Sequence, residues 1–172
     1  LIRLICGLQK PKNGTYSIYG IKNTEKGILK ARKRIGAIIE QPSVYENMTA
    51  KDNLIEQYKI IGIPLDKYID ELLEFVKLAD AGKKKVKYFS LGMKQRLGIA
   101  IALVGHPDFL ILDEPINGLD PEGIIDIREL ILKLNKESGI TFLISSHYLD
   151  ELSKIATHYG FMSDGKMIKE IT

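Results

Sequence analysis

The sequence predicts an α/β fold in which a mostly parallel sheet carries a helical insert. Short apolar runs at Phe109–Leu112 and Thr141–Ile144 alternate with segments of helical period, which is typical of parallel strands joined by helices. Between Tyr45 and Phe89 the apolar residues recur at helical spacing instead, which predicts a second lobe. We therefore expect an α/β core over 1–44 and 97–172, and a helical subdomain over 45–96.

The other elements are predicted from the same two periods and from turn residues. Gly7 and a turn at residues 11–14 end the first helix, and Gly105 with Pro107 ends a later one. In chain order we expect a helix tail over Leu1–Leu8, strands over Thr15–Tyr19 and Ile35–Ile39 with a polar connection over Gly20–Arg34 between them, helices over Leu91–Val104, Gly123–Glu137 and Ser146–Ile155, and a hairpin over Tyr159–Ile171 that turns at Asp164 and Gly165.

Composition excludes several classes of protein. The chain has 172 residues, 45% of them hydrophobic and 27% charged, as in an ordinary folded domain. A net charge of +3 argues against a protein held mainly by nucleic-acid backbones or anionic lipid. The single cysteine, Cys6, excludes an internal disulfide framework and fits a reducing compartment. The run Leu97–Gly105 is about half the roughly 20 residues that a bilayer crossing needs. The chain begins without Met or a signal peptide, so we expect it to be a piece of a longer protein.

Two acidic residues follow directly after the apolar strand that precedes Pro115. Asp113 and Glu114 would lie at the carboxyl end of this strand, where open α/β sheets bind their ligands. Asp113 suits magnesium, which prefers hard oxygen ligands. Glu114 suits the alignment or deprotonation of an attacking water. Taken alone, the pair is equally compatible with a solvated strand end.

Three further segments occur at a fixed order around these acids. Ser90-Leu91-Gly92-Met93 begins a predicted helix, so its amides and hydroxyl are placed to meet a phosphate, although a simple N-cap is the commoner use of such a Ser. Asp120 follows the acids, and His147 follows the next strand at the same edge of the sheet. A histidine in that position is more often structural than catalytic.

Together these four segments resemble the nucleotide-binding subunit of ABC transporters over nearly the whole chain. The resemblance implies that Asp113 is the Walker B aspartate, Glu114 the catalytic glutamate and His147 the switch histidine. It likewise implies that Ser90, Leu91, Gly92 and Met93 form the signature loop and that Asp120 belongs to the D-loop.

The resemblance also implies the cofactors and the partners. ATP with Mg²⁺ would be sandwiched between two subunits, most simply two copies of this protein, with the signature loop of one closing over the ATP of the other. A separate integral-membrane permease would hold the pair at the inner face of the cell membrane, in the cytoplasm. No nucleic-acid partner is expected.

The chain departs from the family pattern at its beginning. The phosphate-binding loop G-x-x-x-x-G-K-[ST] does not precede the acids, and residues 160–166, which match its spacing, are followed by Met167 where Ser or Thr would bind magnesium. The segment 1–8 resembles the helix that follows this loop in the family. We expect a P-loop NTPase-like core without its N-terminal strands and P-loop, and no ATPase activity from residues 1–172 alone.

A second departure lies in the segment Ile39-Glu40-Gln41-Pro42. The family usually has Gln two residues before this Pro, where the chain has Glu40, while Gln41 stands one place late. Both are candidates for contacting the nucleotide, and Glu40 for reaching the metal through water. This segment, together with Ser90–Ala100 and Asn117–Ile124, is similar to the bacitracin- and lantibiotic-resistance branch of the family.

Three functions remain open at this point. The leading one is ATP hydrolysis that drives export, including resistance to antibiotic or lantibiotic peptides. An ABC-type ATPase acting on nucleic acid or the ribosome is the alternative, although such proteins usually carry coiled coils or a second cassette. A docking or dimerisation module without nucleotide chemistry is the third.

Overall fold

A parallel sheet forms the centre of the computed structural model, which describes residues 1–65 and 67–172. The strands lie in the order β3 (Ile35–Ile38), β4 (Phe109–Asp113) and β5 (Thr141–Ser145). The register pairs Asp113 with Ser145, so the carboxyl ends of β4 and β5 meet at one edge of the sheet. The parallel strands that the apolar runs predict are therefore present.

The remaining elements surround this sheet or extend from it. The helices are α1 (Ile2–Ile5), α2 (Ile28–Arg32), α3 (Ala50–Ile61), α4 (Ile69–Phe75), α5 (Leu91–Leu103), α6 (Pro121–Ser138) and α7 (Leu149–Leu152), with 3₁₀ turns at Ala79–Ala81 and Val86–Tyr88. Two antiparallel hairpins pair β1 (Ser17–Ile18) with β2 (Ile21–Lys22), and β6 (Tyr159–Ser163) with β7 (Lys166–Ile171). The predicted hairpin near the end of the chain and its turn are confirmed.

The main hydrophobic core lies between α5 and the sheet. Leu97, Ile99 and Ala100 of α5 are fully buried, as are Leu110 and Leu112 of β4. A helix that is apolar on several sides belongs inside a protein, and α5 accordingly packs on β3 and on the helices α3, α4 and α6. Because α5 contacts both the sheet and the helical insert, it fixes their relative positions.

The prediction of a polar connection over residues 20–34 was wrong. The structure has β2 and α2 there, and Ile28 and Ala31 bury against Ile18 in a small separate core. Residues three apart lie on one face of a helix. These two apolar side chains are therefore enough to pack the five-residue helix α2 against the small core. The prediction failed because so short an element shows no sustained period.

The helix predicted over residues 146–155 is also shorter than expected. The Tyr148 amide donates to the Ser146 hydroxyl oxygen at 3.1 Å, and α7 begins only at Leu149. Ser side chains offer the backbone such local partners in place of helical ones, which delays the start of the helix. Likewise, the strand predicted over 15–19 is reduced to two residues in β1.

The described residues between 45 and 89 are mainly helical, as the change of period predicts. They contain α3, α4 and both 3₁₀ turns. A capping box between Thr49 and Asp52 begins α3, and Gly62 in a left-handed conformation ends it. The predicted boundary between residues 96 and 97 falls inside the continuous helix α5.

Within the described residues, no helix combines the length and the apolar character that a membrane crossing demands.

The backbones of β3 and α5 approach each other very closely at Gly36. A Cβ atom on Gly36 would lie 2.2 Å from the carbonyl oxygen of Ala102 and 2.5 Å from Cδ2 of Leu110. Only glycine fits a space bounded by main-chain atoms, because the backbone cannot move aside as a side chain can.

We expect Gly36→Ala to lower the free energy of unfolding by about 1–3 kcal/mol or more, because it overpacks the contact between β3 and α5. Chemical denaturation measures the loss. Gly160→Ala is the matched control, since a Cβ there meets only the flexible Met167 side chain at 3.1 Å. An equal loss of unfolding free energy in the two variants would contradict the close approach of β3 and α5.

Candidate functional site

Asp113, Glu114 and His147 lie together where β4 and β5 end. The last pair of the β4–β5 ladder is Asp113 opposite Ser145, and the Glu114 amide donates to the Ser145 carbonyl at 3.0 Å. His147 Nδ1 lies 2.9 Å from Glu114 Oε2. The sheet therefore brings these three predicted residues into one group, which we call the strand-end group: Asp113, Glu114, Ser145 and His147.

Ser145 is the member of this group to which the sequence assigned no role. Its hydroxyl donates to Asp113 Oδ1, and the Glu114 amide lies 3.3 Å from the same hydroxyl oxygen. It thus fixes one carboxylate oxygen of Asp113 and the backbone of Glu114 at once. The available signal was its place directly after an apolar strand, at the same edge of the sheet as the acids.

Glu114 has a strained backbone and a shielded carboxylate oxygen. Its φ is +51°, in the left-handed region that non-glycine residues rarely occupy. Oε2 is hidden from solvent, and the approach of His147 does not have hydrogen-bond geometry, so this oxygen has no hydrogen-bond donor among the described residues. A buried carboxylate oxygen without a donor costs free energy, and such strain is characteristic of functional sites.

The His147 side chain is about 60% exposed, so its ring remains open to solvent beside the shielded carboxylate. The Tyr148 ring packs against it, with the centroids 4.2 Å apart and tilted by 36°. The ring is therefore held on one side by Tyr148 and near Glu114 by Nδ1. This leaves the outer face of the imidazole for a ligand.

Ser90 and Asp120 each begin a helix. The Ser90 hydroxyl accepts from the Met93 amide at 3.2 Å, and Asp120 Oδ1 accepts from the Gly123 amide at 3.1 Å. Both residues are N-caps, as the commoner reading of Ser90 predicts, and the exposed helix start remains an anion-binding feature.

The two helix starts also contact each other. A Cβ on Gly92 would lie 3.9 Å from Leu119 Cδ2, and one on Gly118 would lie 3.2 Å from Leu91 Cδ2. The start of α5 at Ser90–Met93 and the loop that ends at Asp120 therefore form one surface, which we call the helix-start group.

Glu40 and Gln41 form a third group beyond the end of β3. Glu40 has a φ of +63° and pairs with Arg3, while the Gln41 amide donates to the Ile39 carbonyl at 2.9 Å. Both residues line a groove of about 600 Å³, whose other walls include Arg3, Gln57 and Gly98. The exposed pair with Arg3 uses part of the acceptor capacity of the Glu40 carboxylate, and the rest is available for the predicted role at a metal.

The donor set of the strand-end group fits Mg²⁺. Among the described residues no three His, Cys, Asp or Glu side chains converge as in an all-protein metal cage. Mg²⁺ usually binds through one or two carboxylates and completes its shell with waters and substrate phosphates. Asp113, whose Oδ1 is held by Ser145, offers such a carboxylate.

Comparison with known proteins decides the family. A family model described as ABC transporter matches residues 1–117, more than half of the chain, including the signature segment and both acids. The chain belongs to the ABC transporter family, among its ATP-binding domains. The predicted resemblance is therefore confirmed.

Two curated relatives carry the branch of the ABC family in their names. The chain is 51% identical over 170 residues to the bacitracin transport ATP-binding protein BcrA of Bacillus licheniformis, covering 99% of the chain and 55% of that protein. It is 42% identical over 170 residues to the lantibiotic transport ATP-binding protein SrtF of Streptococcus pyogenes, covering 99% of the chain and 72% of that protein. The chain thus spans little more than half the length of its bacitracin relative.

Solved ABC structures share the fold. CbiO1 from Clostridium perfringens, described as part of the ABC transporter complex cbiONQ, superimposes with a TM-score of 0.85 at 28% identity, over 98% of this chain and 70% of that one. The ATP-binding cassette MJ0796, described as a dimer in a post-hydrolysis state with ADP and Pi, gives 0.82 at 26% identity, over 99% and 78%. The predicted fold class is confirmed.

We expect Glu114→Asn to raise the free energy of unfolding by about 0.5–2 kcal/mol, because Asn tolerates the left-handed conformation and removes the undonated carboxylate. Chemical denaturation is the measurement. Glu40→Asn is the control, since it relieves a similar φ but gives up an exposed pair with Arg3. If Glu114→Asn destabilises the protein, Glu114 is not strained in the way described.

Proposed function

We propose that the full-length protein binds and hydrolyses ATP and uses the energy to drive export of bacitracin- or lantibiotic-like peptides through a separate membrane permease. The names of the two curated relatives support the peptide class. The description of cbiO1 as part of a transporter complex supports a permease partner. The protein would then act at the cytoplasmic face of the membrane.

The observation that carries this proposal is the state of Glu114. Its carboxylate oxygen is shielded and has no hydrogen-bond donor among the described residues, while its backbone is held in a strained conformation. A shielded carboxylate oxygen can accept a hydrogen bond from a water placed next to it.

The residues would divide the chemistry as follows. Glu114 orients the attacking water and accepts its proton, and His147 contacts the γ-phosphate from the exposed side of its ring. Ser145 fixes the orientation of the Asp113 carboxylate, which would hold Mg²⁺. Mg²⁺ held by Asp113 would neutralise part of the phosphate charge of ATP. Phosphoryl transfer depends mainly on such positioning and charge stabilisation.

The helix-start group would serve the ATP of a second copy. Ser90–Met93 places the start of α5 on the surface, and Asp120 lies beside it through the contact of Leu119 with Gly92. The dimeric state in the description of MJ0796 with ADP and Pi supports this arrangement. The division into a core and a subdomain over 45–96, and the inactivity of residues 1–172 alone, stay predictions.

We expect Glu114→Gln and His147→Ala each to lower kcat for ATP by about 10²-fold or more in the full-length protein assembled with its permease, with much smaller effects on ATP affinity. Phosphate release and nucleotide titration measure the two quantities. Glu122→Gln and His158→Ala are matched controls at exposed positions outside the group. Near-full turnover of Glu114→Gln would remove Glu114 from the mechanism.

We expect Glu40→Gln to keep ATP affinity but to change the ratio of peptide exported to ATP hydrolysed. The substitution removes a negative charge near the γ-phosphate and breaks the pair with Arg3, while an amide can both donate and accept hydrogen bonds. Transport and hydrolysis measured in the same vesicles give the ratio. A larger effect of Gln41→Ala, with none from Glu40→Gln, would show that Gln41 holds the functional position.

A further inference from the structure

The loop that follows Pro42 is hydrogen-bonded to the segment that precedes the signature residues. The Val86 amide donates to the Met48 carbonyl and the Lys87 amide to the Glu46 carbonyl, each at 2.9 Å. A β-bridge between Thr49 and Lys85 continues the contact. Two segments about 40 residues apart are therefore joined by main-chain bonds just before Ser90.

A side-chain pair extends this junction into α5. Glu46 Oε1 lies 2.6 Å from Lys94 Nζ, and the Lys94 side chain is only 26% exposed. The Lys94 amide donates to the Ser90 carbonyl at 2.9 Å, so Lys94 lies in the first turn of the helix. A cation there is unfavourable for the helix dipole, and the Glu46 carboxylate offsets it.

The other end of the loop is fixed as well. Asn53, which is buried, accepts from the Tyr45 amide at 2.7 Å and donates to the Tyr45 and Thr49 carbonyls at 3.1 and 2.8 Å. Earlier in the loop, Pro42 packs against α5, where a Cβ on Gly98 would lie 2.7 Å from it. Residues 42–49 therefore have few ways to move without displacing α5.

Resting on the proposed function, we propose that Glu46 is a positioning residue: through Lys94 it ties the start of α5, and hence Ser90, to the loop that contains Glu40 and Gln41. A displacement at the groove beside Glu40 then reaches the signature residues through the Glu46–Lys94 pair and the adjoining main-chain bonds. Glu46 touches neither nucleotide nor permease in this role. Its effect falls on turnover and coupling, because it sets the orientation of α5.

The test uses the full-length protein assembled with its permease in vesicles. The variants are Glu46→Gln, Lys94→Met, the double variant, and the charge exchange Glu46→Lys with Lys94→Glu. Each keeps the backbone bonds of the junction. The control pair is Lys51 and Asp70, an exposed ion pair at 2.7 Å in the same lobe, changed to Met and Asn.

We expect each single substitution to lower the peptide-stimulated kcat by about three- to tenfold, with the KM for ATP and the melting temperature nearly unchanged. The double variant should be no slower than the single ones, and the charge exchange should restore most of the rate. The control substitutions should leave kcat unchanged.

Four results would overturn the inference. An equal loss of kcat in the control variants would show a general effect of surface charge. A lower kcat in Lys94→Met, together with a normal kcat in Glu46→Gln, would show that Lys94 acts without Glu46. Active wild-type protein with unaffected variants would refute the positioning role while leaving the proposed function intact, whereas wild-type protein without ATPase activity would refute both.

Discussion

The close packing of α5 against β3 is the constraint on which the rest of the molecule depends. Main-chain atoms of the two elements meet at Gly36, and Gly98 allows Pro42 to lie directly on the helix. Because protein interiors are close-packed, this contact leaves α5 one orientation relative to the sheet. That orientation places Ser90 at the helix start, and it determines where the loop after β3 can run.

The strand-end group places a hydrogen-bonded carboxylate, that of Asp113, next to a less well bonded one, that of Glu114. Parallel pairing brings Asp113 and Ser145 side by side at the end of β4. The Ser145 hydroxyl donates a hydrogen bond to the Asp113 carboxylate there. Glu114 receives no such help at Oε2, and its backbone is strained as well. Glu114 therefore lowers the free energy of unfolding, and it is the residue to which the resemblance to ABC ATPases assigns the chemistry.

Much of this could be predicted from the sequence, because the informative features are local. A continuous apolar run followed by two acids is sufficient to place β4, Asp113 and Glu114 at a sheet edge. Helix α2 was missed because five residues contain too few apolar positions to show a period. Ser145 and the Glu46–Lys94 pair were missed for another reason. Their contacts join residues 32 and 48 positions apart, so they follow from strand register and tertiary packing, which no local pattern encodes.

Both helix starts of the candidate interface carry their own caps. The Ser90 hydroxyl and the Asp120 carboxylate already satisfy amides of α5 and α6. Each cap serves a single amide, so the other amides of the first turn keep no intrahelical partner and can meet an acceptor that approaches from outside. Because the cap already orders the helix start, such an acceptor would meet donors whose geometry is set in advance, which lowers the entropy cost of binding.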